Sequence, residues 1–253
     1  LHQIMKKLLS AAILMLFIAA SPLKAQNLKD VLNEYFDVTG QKKILKVETL
    51  TTFGKINQGG LEIPFKQITA RPANFRVEGT FQGLTFLQTF NGTEAWTVNP
   101  FSGSTEPQPI PADQLKSLKI QADMDGMLWD WKDKGYSAVL DSTEDVEGTK
   151  CFKVDVTIDS NDVYTFYIDT ESYLLIKSHA KVFMSGQAVE SDTYYSNYKD
   201  VEGMILPGQI ENRYNGVTGE LIVIDRYEVD TPYPQSDFNK PAVAETPVTP
   251  GDN

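Results

Sequence analysis

Phe152-Lys153-Val154-Asp155-Val156-Thr157-Ile158-Asp159 alternates apolar and polar residues without a break. Successive side chains of an extended chain point to opposite faces, so this segment predicts a strand with one apolar and one wetted face. Cys151 falls in the polar register and reads as an incidental surface or half-buried thiol rather than a nucleophile. After it the same period predicts strands near 162–169, 173–183, 188–199, 207–215 and 219–229, and with 137–146 and 150–158 they make one β run. Before it, strands are predicted near 44–56, 61–69, 74–81, 84–90 and 94–99. Few of these are continuous apolar runs and no helices lie between them as crossovers, which excludes a parallel sheet. The expectation is mainly β: a single large antiparallel sheet of about 11–12 strands, which at that size curls or closes into a barrel.

Turn chemistry supports this. Residues 57–60 are rich in Gly and Asn, and Asn91-Gly92 is a strong hairpin signal because both residues tolerate positive φ. Asn91-Gly92-Thr93 is also a glycosylation sequon, but the tight turn is the preferred reading. Helical spacing occurs in two places. Leu28, Val31, Leu32, Tyr35 and Phe36 predict an amphipathic helix over 27–39, ended by Gly40. Pro107, Pro109 and Pro111 close the first β run. Leu115, Leu118 and Ala122, then Met124, Met127, Leu128 and Trp131, lie on either side of Gly126 and predict a broken helix of two arms. From 239 onward the chain is Pro-rich and offers little to pack, so 239–253 is expected to be a disordered tail.

The first 25 residues read as an export signal: Lys6 and Lys7, an apolar run from Leu8 to Ala20, and a small-residue cleavage site at Leu23-Lys24-Ala25. The run is too short to span a bilayer, which needs roughly 20 apolar residues. Gln26 stands where a lipidated cysteine would anchor the product. The expected domain is therefore 26–238, exported to the periplasm and not membrane-spanning. The net charge is −11, and removal of 1–25 takes three lysines and no acidic residue, leaving −14. Such a surface repels nucleic acid, and Lys and Arg form no basic stripe.

Most catalytic constellations are absent. Cys151 is the only cysteine, and His179 the only histidine beyond the leader. Two-histidine metal sites are thereby excluded, and neither a phosphate loop nor a dinucleotide fingerprint occurs. Asp123-Met124-Asp125-Gly126 departs from a calcium loop, since Lys132 stands at its closing position. No cofactor, no metal and no enzymatic activity are expected. The chain offers instead apolar side chains on a curved sheet. Phe75, Val77, Phe86, Phe90, Trp96, Val98, Phe152 and Val154 are candidates to line a ligand cavity. Met124, Met127, Leu128 and Trp131 are candidates for a lid, methionine being flexible enough to repack.

Three segments carry a family resemblance: Arg71-Pro72-Ala73-Asn74-Phe75-Arg76 entering a strand; the turn, aromatic strand and exit of 91–101, ending Asn99-Pro100-Phe101; and Tyr164-Thr165-Phe166-Tyr167-Ile168-Asp169 turning into Leu174-Leu175-Ile176. With the order of helix, strands, central helices and strands, 27–230 resembles the LolA-like family of periplasmic outer-membrane lipoprotein carriers and related lipoprotein-binding proteins. The resemblance implies an unclosed barrel whose mouth is covered by helices, and an apolar cavity that shields acyl chains. It further implies lipid or lipoprotein acyl chains as ligand, with membrane-bound donor and acceptor proteins, and a role for Arg71 in setting the closed state. Three functions are weighed: a carrier of apolar ligands, a sensor module of the same fold that recognises a protein in the envelope, and, not expected, a hydrolase that uses a pair of the 34 acidic residues.

Overall fold

The structure, a computed structural model, describes residues 26–242 apart from 113 and 185. The export segment expected over 1–25 and the chain from 243 onward lie outside the described residues.

Helix α1 (Leu28–Thr39) is capped by Asn27, whose Oδ1 accepts the Asp30 N–H at 3.1 Å, and ends at Gly40 with φ 73°. A Cβ on Gly40 would lie 2.2 Å from the Gly203 carbonyl oxygen, so close approach requires glycine as much as the left-handed backbone does. One further helical turn, α2 (Gln41–Ile44), follows. The strand expected from 44 therefore starts only at 49, because Val47 N–H still bonds back to Ile44.

Strands β1 (Thr49–Gln58), β2 (Leu61–Ala70), β3 (Asn74–Phe81), β4 (Leu84–Phe90), β5 (Ala95–Asn99) and β6 (Ser104–Pro109) form one meander. Helix α3 (Leu115–Ala122) leads to a second: β7 (Ser137–Val146), β8 (Thr149–Thr157), β9 (Val163–Asp169), β10 (Leu175–Met184) and β11 (Gln187–Ser196). A small separate hairpin, β12 (Lys199–Val201) and β13 (Met204–Leu206), precedes β14 (Gln209–Tyr214) and β15 (Val217–Val229). Thirteen strands make one antiparallel sheet in the order β6-β5-β4-β3-β2-β1-β15-β14-β11-β10-β9-β8-β7. It is an incompletely closed barrel. The edges β6 and β7 are joined through α3 rather than through hydrogen bonds.

Three sequence expectations are corrected. Strand β6 was hidden by Pro107 and Pro109, yet an edge strand pairs on one side only and tolerates the missing donors. The second helical arm does not form: 123–136 is a run of turns with positive φ at Gly126, Asp130 and Gly135. The spacing of Met127, Leu128 and Trp131 reflected one packed face of that run, which helical periodicity imitates. The Asn91-Gly92 hairpin has a four-residue loop, held by Asn91 Oδ1 accepting Thr93 N–H and Glu94 N–H. Two-residue turns with both residues at positive φ occur instead at Gly59-Gly60, Gln82-Gly83, Glu147-Gly148 and Asn215-Gly216.

The concave face has two unlike halves. Over β8 and β9, Phe152, Val154, Val156, Phe166 and Ile168 are packed against Val31 and Leu32 of α1 and against Met127 and Leu128. Over β3 to β5, Leu118 and Ala122 of α3 cover Phe75, Phe90 and Ala95 at one end only. On the convex face, residues 233–240 lie as a strap: Phe238 is fully buried against Ile68 and Ala70, and Thr89 Oγ1 donates to the Asn239 carbonyl. Asn239 and Lys240, expected in the tail, thus lie against the sheet.

Candidate functional site

The uncovered half of the concave face is a trough of about 1080 Å³. Register assigns its walls. Thr69, Phe75 and Phe90 are cross-strand partners, as are Phe65, Gly79 and Phe86, so alternate residues of β1 to β5 share this face. Strands β14 and β15 complete it with Ile210, Ile222, Ile224 and Tyr227. Gly79 is needed here: a Cβ would lie 2.4 Å from the Phe86 ring, which folds down over the glycine instead of standing in the trough. Leu50 and Gln58 both line the cavity, and eight residues of strand at about 3.4 Å each give a length of roughly 27 Å.

One end is shut by a latch. Arg71, after β2, donates from Nε to the Val47 carbonyl at 2.7 Å and from Nη2 to that of Ile44 at 2.9 Å. The same guanidinium holds both carboxylate oxygens of Asp125, at 3.1 and 2.6 Å. The bond to Asp125 raises the Arg71 pKa above its ordinary value against the opposing effect of burial. Gln41 Nε2 donates to the Asp125 carbonyl, and Lys134 Nζ donates to Asp123 Oδ2 at 2.5 Å and to the Gly126 carbonyl. The turn run 123–136 is therefore tied to α2 and β2 by directional, charge-assisted bonds.

Three half-buried tyrosines, Tyr35, Tyr198 and Tyr227, have phenols shielded from water. Burial raises Tyr35 to about 12, and it raises Tyr198 and Tyr227 further. Tyr227 donates to the Pro207 carbonyl at 2.7 Å and Tyr198 to that of Leu175. These phenols stay neutral at physiological pH.

The candidates from sequence separate accordingly. Phe75, Val77, Phe86 and Val98 line the trough. Phe90 points to the same face but is sealed beneath α3. Trp96 is the cross-strand partner of Thr89 and lies on the convex face, with Lys240 Nζ 4.7 Å from its ring centroid. Phe152, Val154, Met127 and Leu128 fill the packed half, Trp131 packs at its edge, and Met124 is half-buried and lines neither cavity. Sequence reasoning missed the β1, β2, β14 and β15 wall; its period-two signal was present, but the pairing of β1 with β15 that brings it to Phe75 was not.

Three solved structures share this architecture. A DUF1329 family protein from Desulfovibrio piger superimposes with TM-score 0.55 at 13% identity, over 83% of this chain and 97% of its own. A LolA superfamily protein, NE2245 from Nitrosomonas europaea, gives 0.54 at 15%, over 85% and 99%. An outer membrane lipoprotein-sorting protein domain from Vibrio parahaemolyticus gives 0.52 at 11%, over 83% and 97%. The fold is LolA-like. At these identities the likeness is one of fold, and no family model and no curated protein matches the sequence.

Within this LolA-like fold, Glu220 is the one charged residue among those lining the trough, and its carboxylate accepts Asn212 Nδ2–H at 2.7 Å. The remaining polar lining is amide and hydroxyl, such as Thr52, Gln67, Gln88 and Thr193. A second cavity of about 510 Å³ lies between α1 and the turn run, with Phe36, Trp129 and Trp131 in its wall. Among the described residues, no group of three or more His, Cys, Asp or Glu side chains is placed to hold a metal ion, and no helix is long and apolar enough to cross a membrane.

Proposed function

We propose that the chain is an exported carrier that binds the acyl chains of a lipoprotein or a like amphiphile in the trough, and acts by binding rather than turnover. The open trough carries this reading. Apolar side chains such as Ile56, Phe65, Phe75, Ile210 and Ile222 run along its roughly 27 Å among mostly neutral polar ones, and since the ~30 Å hydrocarbon core of a bilayer is two chains deep, one extended acyl chain fits lengthwise. Each methylene removed from water contributes about 0.8 kcal/mol, and a chain of about sixteen carbons gains on the order of 12 kcal/mol. Among the described residues no lysine or arginine lines the trough, which favours a ligand whose head is neutral over a free fatty-acid carboxylate. The protein-sensing alternative calls for a packed interior, and this barrel is packed over half its width only.

Export and periplasmic action belong to the same proposal. They rest on the leader-like segment 1–25 and on Gln26, and membrane-bound donor and acceptor proteins would complete the cycle. Organic extraction of protein prepared from its native compartment, followed by mass spectrometry, should yield an acyl species. Ile222→Glu, which puts a charge into the wall, should abolish it. Clean extracts from repeated wild-type preparations would sink the proposal.

A further inference from the structure

Six of the eight large apolar side chains exposed among the described residues lie at one rim of the barrel: Leu61, Leu84, Phe101, Phe183, Tyr214 and Val217. Strand direction explains this. Odd-numbered β1, β3 and β5, with β10 and β14, run toward this rim, and their chains turn back there at 59–60, 82–83, 100–103 and 215–216, and between the paired Met184 and Gln187. In sequence the five tips are Gln58-Gly59-Gly60-Leu61, Phe81-Gln82-Gly83-Leu84, Pro100-Phe101-Ser102-Gly103, Phe183 to Gln187, and Tyr214-Asn215-Gly216-Val217. None contains a charged residue, in a chain that is 23% charged and carries −11. Turns at the opposite rim carry Arg71, Glu94, Glu171 and Glu202, whereas Glu147 is held by Arg213, next to Tyr214. The sixth turn at the apolar rim, over the packed half, carries Asp159 and Asp162, and both are bound by Lys116 of α3.

We infer that this rim is a docking surface for a lipid bilayer of neutral headgroup, into which the five tips dip. The distribution of charge argues for that occupant: an acidic molecule is held off anionic surfaces, and the rim that has shed its charges is the part that can enter an uncharged one. The spacing argues likewise. Successive hairpins stand two strands, or about 10 Å, apart, so the apolar side chains form separated prongs rather than the contiguous patch a protein partner packs against. Fluid hydrocarbon fills the gaps between prongs of any shape. Tyr214 adds the amphipathic ring that settles at a headgroup boundary. Finally, the surface is continuous with the trough: Gln58, Leu61 and Phe101 belong both to the rim and to the cavity lining. Seated on a bilayer, the cavity mouth opens onto lipid, and an acyl chain passes between membrane and trough without crossing water. This last role rests on the carrier reading; the docking itself does not.

Flotation of the full chain with phosphatidylcholine vesicles tests the inference. The wild type is expected to float with them, and raising the salt to 1 M should leave the bound fraction unchanged because no ion pair is involved. Leu84→Asp/Phe183→Asp/Val217→Asp, three sites outside the trough, should bind at least tenfold more weakly while keeping the wild-type circular dichroism and wild-type binding of a fluorescent acyl-glycerol probe. Absence of wild-type flotation overturns the inference, as does flotation that survives the triple substitution or needs anionic lipid. A wild-type dimer on size exclusion that the substitutions dissolve, without flotation, assigns the rim to a second copy and overturns it too. Flotation without probe binding supports the docking surface and counts against the carrier reading alone.

Discussion

Arg71 shows how one side chain fixes a closed end. Four of its N–H groups are spent on two carbonyls of the α2 turn and on both oxygens of Asp125, so the end of β2, the start of β1 and the turn run share one node. Arg71→Leu leaves those acceptors partly buried without donors and should cost about 2–3 kcal/mol, read from urea unfolding. Proteolysis within 123–136 of the folded variant should quicken, and equal cleavage rates would remove the latch from the account. Cys151 makes the opposite point. It is fully buried on the convex side of β8, and burial, with Asp169 and Asp145 nearby, pushes its thiol up to about 11. The expected outcome is no maleimide labelling at pH 7.5 until denaturant is added.

At the scale of elements, the strap and α3 do what strand pairing does not. Phe238 is the strap's anchor, buried against Ile68 and Ala70 with Tyr233 edge-on at 5.0 Å. Phe238→Ala should destabilise by about 3–4 kcal/mol, measured by thermal or urea unfolding, because the strap cannot collapse into the space its ring leaves. Helix α3 crosses the gap between β6 and β7, packing Leu118 and Ala122 on one meander and clasping Asp159 and Asp162 of the other through Lys116. The legible part of these elements was local. Helix α1 announced itself through Asn27, its apolar spacing and Gly40, whereas the turn run 123–136 imitated a helix because a packed face at that spacing needs no helical backbone.

For the whole molecule, acid sensitivity follows from paired carboxylates. Lys116, with the Asn161 N–H, holds Asp159 below the ordinary 3.8; Arg213 and Thr218 hold Glu211 below the ordinary 4.5. Burial alone would raise Asp192, but hydrogen bonds from Lys177 and His179 outweigh it and hold that carboxyl low. A depressed folded-state value means the stabilisation is complete above the unfolded-state value and is lost as pH falls through the folded one. Stability should therefore be level with respect to these groups from about pH 5 upward and fall steeply below about pH 4, followed by circular dichroism. Lys116→Met should make that fall shallower relative to its own plateau, since Asp159, no longer depressed, ceases to contribute to it.

Alternation along 152–159 and its neighbours was enough to dictate strands and antiparallel pairing in one large sheet, because strand period and turn chemistry are local properties of the chain. Three short segments were enough to suggest the fold's relatives. Alternation distinguishes two faces without saying which is concave. That choice depends on pairings between distant residues, such as Leu50 with Val229 and Ile56 with Ile222, which brought Ile222 and Ile224 to the wall that holds Phe65. Only tertiary structure could decide, too, that α1 fills one half of the barrel and leaves the other open, since a helix's apolar stripe states that it must be covered and not what covers it.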